Sequence, residues 1–448
     1  MKVLLFNITA GTAKKCVNKD LAGGMGTGTW VGDSWRACIF EYVKKKSVIL
    51  PEIATAYLVA IFKRAGWEVE LVDVNGGDVP PELRGDLALL SSSIVDCQRE
   101  LAIARILKKR GLAVGVYGSF ASAAPQFFLD SVDFVIKGEP ESGALKIISE
   151  KIFPRGVLAV EPVADLDYLP FPDWSLFPIK RYSYSPALNK KPFLVMLTSR
   201  GCPYSCSFYC PYPVNYGKKW RARSVSNVIE EIKYLKERYG VKAIDFRDPI
   251  FTLDMIRTRE IARRIIEEKL DIVWSCETRI DCLDEETITI MFKAGLRNIN
   301  VGIESFDEHV LKSSRRLPII QARQEAIVDF CHKLGVSVAA FYILGLEDDT
   351  EETIKQTMLY ARKLNTLVAQ FAVSTPYPGT QFYNNLNSEK RITNHNWPDY
   401  DGYTPVFRHR FVDSQKLLDL KEKAFISYYF RLSYFFRHAF RIFLGRFL

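Results

Sequence analysis

Long hydrophobic runs are missing from this 448-residue chain, and so is a large excess of charge of either sign. Apolar residues make up 48 % and charged residues 25 %, the balance of a soluble globular chain with enough apolar surface for a sizeable core. That balance excludes a disordered chain, a collagen-like repeat and a multispan membrane protein. A net charge of +9 is too small to choose among anionic substrates, a membrane surface and RNA. No secretory leader is expected, because the opening MKVLLFNI reads as a first strand. The nine cysteines are odd in number, so a disulfide framework is not expected and a reducing, cytoplasmic compartment is. At ~150 residues per domain the length suggests about three domains.

What is present is alternation. Residues 1–150 run strand, helix, strand: KVLLFNI, then ILPEIATAYLVAIFKRAG stopped by Gly66, then WEVELVDV, DLALLSSS, the helix CQRELAIARILKKRG, LAVGVYGS and VDFVIKGEPE. Short apolar runs separated by helices predict an α/β fold with a doubly wound parallel sheet. Ligands of such sheets lie beyond the carboxyl ends of the strands. Those ends carry Ser91, Ser92 and Ser93, then Gly118 and Ser119, then Gly138 and Glu139, small or hydroxyl-bearing for the most part. Residues 10–46, which contain GGMGTGTW, show no clear period and read as a long loop, a lid in one reading. Residues 151–192, rich in Pro, Asp and aromatics, read as an ordered linker.

A second alternation starts at Phe193 and gives roughly six βα units by residue 385, a partial (βα)6 barrel rather than a closed one of eight. The stretch TSRGCPYSCSFYCPYP follows its first strand and puts Cys202, Cys206 and Cys210 in one loop, each four residues from the next. Thiolates crowd together in this way to hold a soft metal, as zinc or as iron–sulfur. No second Cys or His pair follows at zinc-finger spacing. Three thiolates without a fourth leave one iron of a 4Fe–4S cluster open to substrate.

Several spaced motifs now carry a family resemblance. RGCPYSCSFYC resembles the cluster loop of radical S-adenosylmethionine enzymes, and IDFRDPIFTLD, VGIESFDEHVL, FYILGLEDDTEET and STPYPGTQFY resemble the strand-end segments of those with an amino-terminal cobalamin-binding domain. The resemblance covers about residues 1–385. It implies a 4Fe–4S cluster on Cys202, Cys206 and Cys210, and S-adenosylmethionine contacts from Tyr209, Arg247, Asp248, Glu304, Ser305, Gly345, Glu347 and Pro376. It also implies cobalamin over Ser91, Ser92, Ser93, Gly118, Ser119, Gly138 and Glu139. The implied chemistry is reductive cleavage of S-adenosylmethionine to a 5′-deoxyadenosyl radical that attacks an unactivated carbon. C-methylation of a lipid-like or secondary-metabolite substrate is the leading expectation, with a radical cyclase or oxidoreductase of lipid or tetrapyrrole type as the rival. A non-catalytic cobalamin or iron–sulfur sensor is the alternative of another class. A flavodoxin or ferredoxin is the implied electron donor, and no nucleic-acid partner is expected. Two departures stand out. The family spacing is three residues then two, whereas here it is three then three, and no histidine precedes His309 to ligate a cobalt.

Residues 386–448 read as a helical carboxyl-terminal region. Residues 424–448 hold no acid and many Phe, Tyr and Arg. As one helix they place Phe425, Tyr429, Leu432, Phe436, Phe440, Phe443 and Phe447 on one face and Arg437, His438, Arg441 and Arg446 on the other. Such a helix fits a peripheral membrane contact at the inner face, or equally a helix packed on the barrel.

Overall fold

Six apolar segments of the first 160 residues build one parallel sheet in the computed structural model, which describes residues 1–9 and 24–439. They are β1 (Lys2–Thr9), β2 (Glu68–Asn75), β3 (Leu87–Ser91), β4 (Ala113–Tyr117), β5 (Phe134–Lys137) and β6 (Gly156–Ala159), in the order β2-β1-β3-β4-β5-β6. Alternation along β1 explains why both faces need helices. Val3 and Leu5 enter one core, Leu4, Phe6 and Ile8 the other. Strand order reverses between β1 and β3, the switch point at which doubly wound sheets receive ligands. The sheet extends past the expected boundary, since β6 pairs with β5 inside the stretch read as linker.

The second sheet holds β7 (Phe193–Met196), β8 (Ala243–Phe246), β9 (Val273–Thr278), β10 (Leu296–Glu304), β11 (Ser337–Leu344) and β12 (Val368–Val373), parallel and in sequence order. This is the expected open (βα)6 arrangement. Several of its helices start on a side-chain cap, with Ser224, Asp254, Asp284, Asp307 and Thr350 each accepting a backbone N–H three residues on.

An open barrel leaves β12 with an unpaired edge. Three tyrosines of the carboxyl-terminal helices cover it. Tyr429 Oη accepts from Ala369 N at 2.9 Å and donates to Ala369 O at 2.9 Å, Tyr428 Oη donates to Thr366 O at 2.5 Å, and Tyr434 Oη donates to Leu367 O at 2.8 Å. These contacts decide the tail's geometry. Instead of one helix, the chain forms Ser414–Tyr429 and Leu432–Ala439, broken at Phe430. Phe425 and Tyr428 are buried, and Tyr434 and His438 also turn inward, while Leu432 and Phe436 are more than three-quarters exposed. The expected stripe is therefore divided, and its members Phe440, Phe443 and Phe447 lie outside the described residues.

Residues 10–46 were expected as loop, yet Trp35–Ser47 is a helix capped by Ser34, which accepts from Ala37 N at 3.3 Å. Lys421, fully buried, donates to Trp30 O and Tyr403 O at 3.1 and 2.9 Å and so ties the segment before this helix to the carboxyl-terminal one. Burial holds the Lys421 ammonium down at about 8.

The two sheets are joined by a buried ion cluster. Arg200, 1 % exposed, donates to Glu139 at 2.9 Å and to Glu141 at 2.7 Å, and its guanidinium lies over the rings of Tyr57 and Tyr216. Arg221 also reaches Glu139. Arg200→Met should lower unfolding free energy by about 3–5 kcal/mol, because Glu141 stays buried without its cation and Glu139 keeps only Arg221. Adding Glu139→Gln and Glu141→Gln should recover most of that loss in a urea titration, and no recovery would mean that packing rather than charge holds the joint. Tyr429→Phe should cost about 1–3 kcal/mol by stranding both polar groups of Ala369. An unchanged melting temperature would show that water replaces the hydroxyl.

Candidate active site

The cysteine loop hangs from a two-strand clasp in which Ser199–Arg200 pairs antiparallel with Arg221–Ala222, just beyond the carboxyl end of β7. Glycine is required at its start, since Gly201 has φ +89° and a Cβ there would sit 2.0 Å from Lys219 O. Cys202 N donates to Gly217 O at 3.2 Å. The chain then makes a 3-10 turn over Ser205–Phe208, and Tyr209 N and Cys210 N both donate to Cys206 O, at 3.1 and 2.9 Å. That turn accounts for the wider spacing: residues four apart in a helical turn share a face, so Cys210 comes back beside Cys206.

All three cysteines are partly buried and free of disulfides. Burial raises the Cys202 and Cys206 thiols, and it pushes Cys210 up to about 12, with the charges of Cys206 and Cys202 adding to the rise. Buried thiols this close together would each be relieved by a shared soft cation, so the donor set fits an iron–sulfur cluster. Among the described residues, no three Cys, His, Asp or Glu side chains converge on one point as a finished metal site. The loop gathers the ligands without closing on them.

Glu304 ends β10 beside this loop. Its φ is +66°, and the register of β10 against β11 slips between Gly302 and Glu304, a kink that re-aims the carboxylate. A Cβ on Gly302 would fall 2.4 Å from Glu304 Oε1. Arg316 meets Glu304 at 3.3 Å and also donates to Gly302 O. Burial raises the Glu304 carboxyl, and Arg316 and then Arg279 oppose the rise. Tyr209, partly buried, lies within the field of this pair, as burial first and Glu304 next raise its phenol. Arg279 stacks over the Tyr204 ring at 4.2 Å. Tyr209 and Glu304 thus gather with the cysteines, together with Arg316 and Arg279, which no motif in the sequence signalled.

The remaining residues expected around S-adenosylmethionine are spread out. Arg247 bonds Glu277 and approaches Asp245 at 3.5 Å. Asp248 is fully buried and accepts from Thr198 N at 3.1 Å, Thr198 Oγ1 at 2.9 Å and Ser199 Oγ at 2.5 Å. It ties down the root of the cysteine loop rather than presenting a free carboxylate. Ser305 accepts from Asp307 N at 3.2 Å as part of a turn, and the N–H groups of Gly345 and Leu346 both point to Asp349 at 3.0 Å. Glu347 is engaged by Arg391 at 2.6 Å and Arg410 at 3.1 Å, and Pro376 is buried at the far strand end.

In the amino-terminal sheet, Ser92 Oγ and Ser119 Oγ are completely buried without a hydrogen-bond partner, at the ends of adjacent strands. Gly118 between them has φ +120°. Orphaned hydroxyls at the carboxyl ends of parallel strands, beside the switch point, are what an amide-rimmed cofactor such as cobalamin would satisfy, so these two positions fit. Ser91 is buried beside them. The rest do other work: Ser93 donates to Asp96 at 3.0 Å and receives Met25–Gly26 against it, Gly138 N bonds Ser122 Oγ at 3.0 Å, and Glu139 belongs to the Arg200 cluster. A cavity of about 1470 Å³ lies between the sheets, walled by Asn7, Thr9 and Thr27–Thr29 on one side and by Cys210, Arg247, Glu277 and Phe341 on the other.

Residues 196–361 match the Radical SAM superfamily. The chain is 33 % identical over 308 residues to an uncharacterised methyltransferase of Pyrococcus horikoshii, a match spanning 68 % of this chain and 65 % of that one. It is 26 % identical over 428 residues to the anaerobic magnesium-protoporphyrin IX monomethyl ester cyclase of Rubrivivax gelatinosus, covering 85 % and 75 %. The cobalamin-dependent S-adenosylmethionine radical enzyme OxsB, solved with aqua-cobalamin and S-adenosylmethionine, shares its fold with a TM-score of 0.69 at 16 % identity, over 96 % of this chain and 67 % of that one. Residues 196–361 belong to the radical SAM superfamily and follow a doubly wound parallel sheet, and the chain spans 65 % of the length of the Pyrococcus relative.

Proposed function

We propose that this chain is a radical S-adenosylmethionine enzyme that methylates an unactivated carbon of a small, largely apolar substrate, with a 4Fe–4S cluster on Cys202, Cys206 and Cys210 and cobalamin on the amino-terminal sheet. One observation carries the reading. Three partly buried thiols share a loop at the carboxyl mouth of an open parallel barrel, and Cys210 of that loop lines a cavity whose other wall includes Asn7 and Thr9 at the end of β1 in the second sheet. Bound there, the cluster would supply the electron that cleaves the sulfonium carbon–sulfur bond of S-adenosylmethionine, and cobalamin would supply the methyl transfer.

The protein's own groups hold and enclose. Glu304 offers a carboxylate and Arg316 a guanidinium within one partly dry pocket, where charge-assisted bonds to a polar ligand are strong. The buried Arg200 cluster keeps loop and amino-terminal sheet in fixed register, and the cavity walls keep water from a reactive centre. A small reduced protein, a flavodoxin or a ferredoxin, supplies the electron. A second reading, oxidative cyclisation, rests on the likeness to the Rubrivivax cyclase over most of both chains.

Anaerobically purified full-length protein should carry about four irons per chain and absorb broadly near ~400 nm. The double variant C202A/C206A should lose the iron and all cleavage of S-adenosylmethionine while melting as a folded protein. Stoichiometric zinc in place of iron would overturn the cluster. With cobalamin added, S-adenosylhomocysteine accompanying a methylated product supports methylation, and 5′-deoxyadenosine alone moves the assignment to cyclisation.

A further inference from the structure

The helix Trp35–Ser47 is built inside out. Its buried residues are Ala37 and Glu41, whose carboxylate accepts from Val31 N at 2.7 Å. Trp35, Ile39, Tyr42 and Val43, spaced to share one helix face, are 66, 50, 65 and 52 % exposed. The tail continues this surface. Phe40 packs against Phe425 and Tyr429 at 5.4 and 4.6 Å between ring centres, and the Arg36 guanidinium lies 5.7 Å from the ring of Phe430. Beyond Phe430, itself 48 % exposed, come Leu432 and Phe436 at 76 and 77 %. An exposed apolar face assembled from both ends of a chain is not ordinary surface.

Its rim is mainly cationic. Arg36 and Lys46 are exposed around the first helix and Arg437 on the second, with Asp33 an exposed acid beside Trp35. Aromatic and aliphatic side chains ringed by cations match the headgroup layer of an anionic membrane. The same helices line the cavity: Phe40, Val43, Lys45, Phe425, Tyr429 and Tyr434 belong to its wall.

We propose that the face formed by Trp35, Ile39, Tyr42, Leu432 and Phe436 docks this protein on an anionic lipid surface with the cavity mouth against the leaflet, so that an apolar substrate enters from the membrane. The substrate part rests on the reading of the cavity as the active site, and the docking part does not. Among the described residues no helix is long and apolar enough to cross a membrane, which agrees with a surface contact.

The experiment is sedimentation of the full-length, anaerobically purified protein with vesicles of phosphatidylcholine alone or with about 30 mol % phosphatidylglycerol. The protein should pellet with the anionic vesicles and be released by high salt. The variant W35S/I39S/Y42S, and separately F436S, should bind at least about tenfold more weakly while keeping wild-type iron content and cleavage of S-adenosylmethionine. Wild-type protein that ignores anionic vesicles overturns the proposal, as does binding that the variants leave unchanged. A wild-type dimer that W35S/I39S/Y42S converts to monomer also overturns it, because the face is then covered by a second copy. Iron and cleavage are read separately, so failure of the enzymatic reading leaves the docking result intact and is recognised as such.

Discussion

Everything at the site depends on a charge that has no business in a core unless it is paired. Arg200 lies one residue before the glycine that opens the cysteine loop, and it is clamped by Glu139 and Glu141 from the other sheet. Removing three charged groups from water is expensive, and the loss is offset only by close, well-aligned contacts in a medium of low dielectric. Such a cluster adds little net stability over an apolar joint. It does fix one geometry, because any slip between the sheets exposes unpaired buried charge. Two sheets that must present ligands to a shared space need that kind of joint. An apolar interface of equal area would tolerate sliding, whereas the forked guanidinium accepts one register.

The thiols pose the opposite problem. Burial raises the proton affinity of Cys202, Cys206 and Cys210, and Cys206 adds to the rise at the other two, so without a cation the loop favours the neutral, weakly coordinating form. Arg316 and Arg279 temper this at Cys206, the cysteine that lies nearest the Glu304 pair in electrostatic terms. The arrangement is one in which metal binding and proton release are coupled. Glu304 fits the same logic. Its left-handed backbone and the register slip beside it are tolerable strain when the carboxylate they aim is held by Arg316.

Much of the fold was legible in the sequence. Apolar period and spacing identified both parallel sheets and the six strands of the open barrel, because burial on two faces leaves continuous apolar runs. The helix Trp35–Ser47 was missed for a physical reason: its apolar residues face outward and its inward face carries Ala37 and Glu41, so the pattern carries no core signal. The tail was read as one helix because the 3.6-residue period runs through Phe430, but three tyrosine hydroxyls bonding the β12 edge outweigh that period. At the site, the cysteine spacing was readable. Glu139 and Asp248 were not, since a carboxylate at a strand end looks the same whether it meets a ligand or a neighbour's backbone. Arg200 and Arg316 act through partners tens of residues away along the chain, and no local motif encodes that.

The open barrel connects these features. A closed barrel of eight strands has no edge to cover and fills its interior with side chains. Stopping at six leaves β12 with unpaired backbone groups and leaves a gap beside it. The tyrosines of the carboxyl-terminal helices satisfy the first need, and the same helices become one wall of a cavity of about 1470 Å³, far larger than a water-filled packing defect. Helices recruited to cap an edge have a second face that the barrel does not bury. That face begins the exposed apolar surface which Leu432 and Phe436 continue and which Trp35–Ser47 extends from the other end of the chain. The missing strands, the covered edge, the large cavity and the outward apolar face are therefore consequences of one architectural choice.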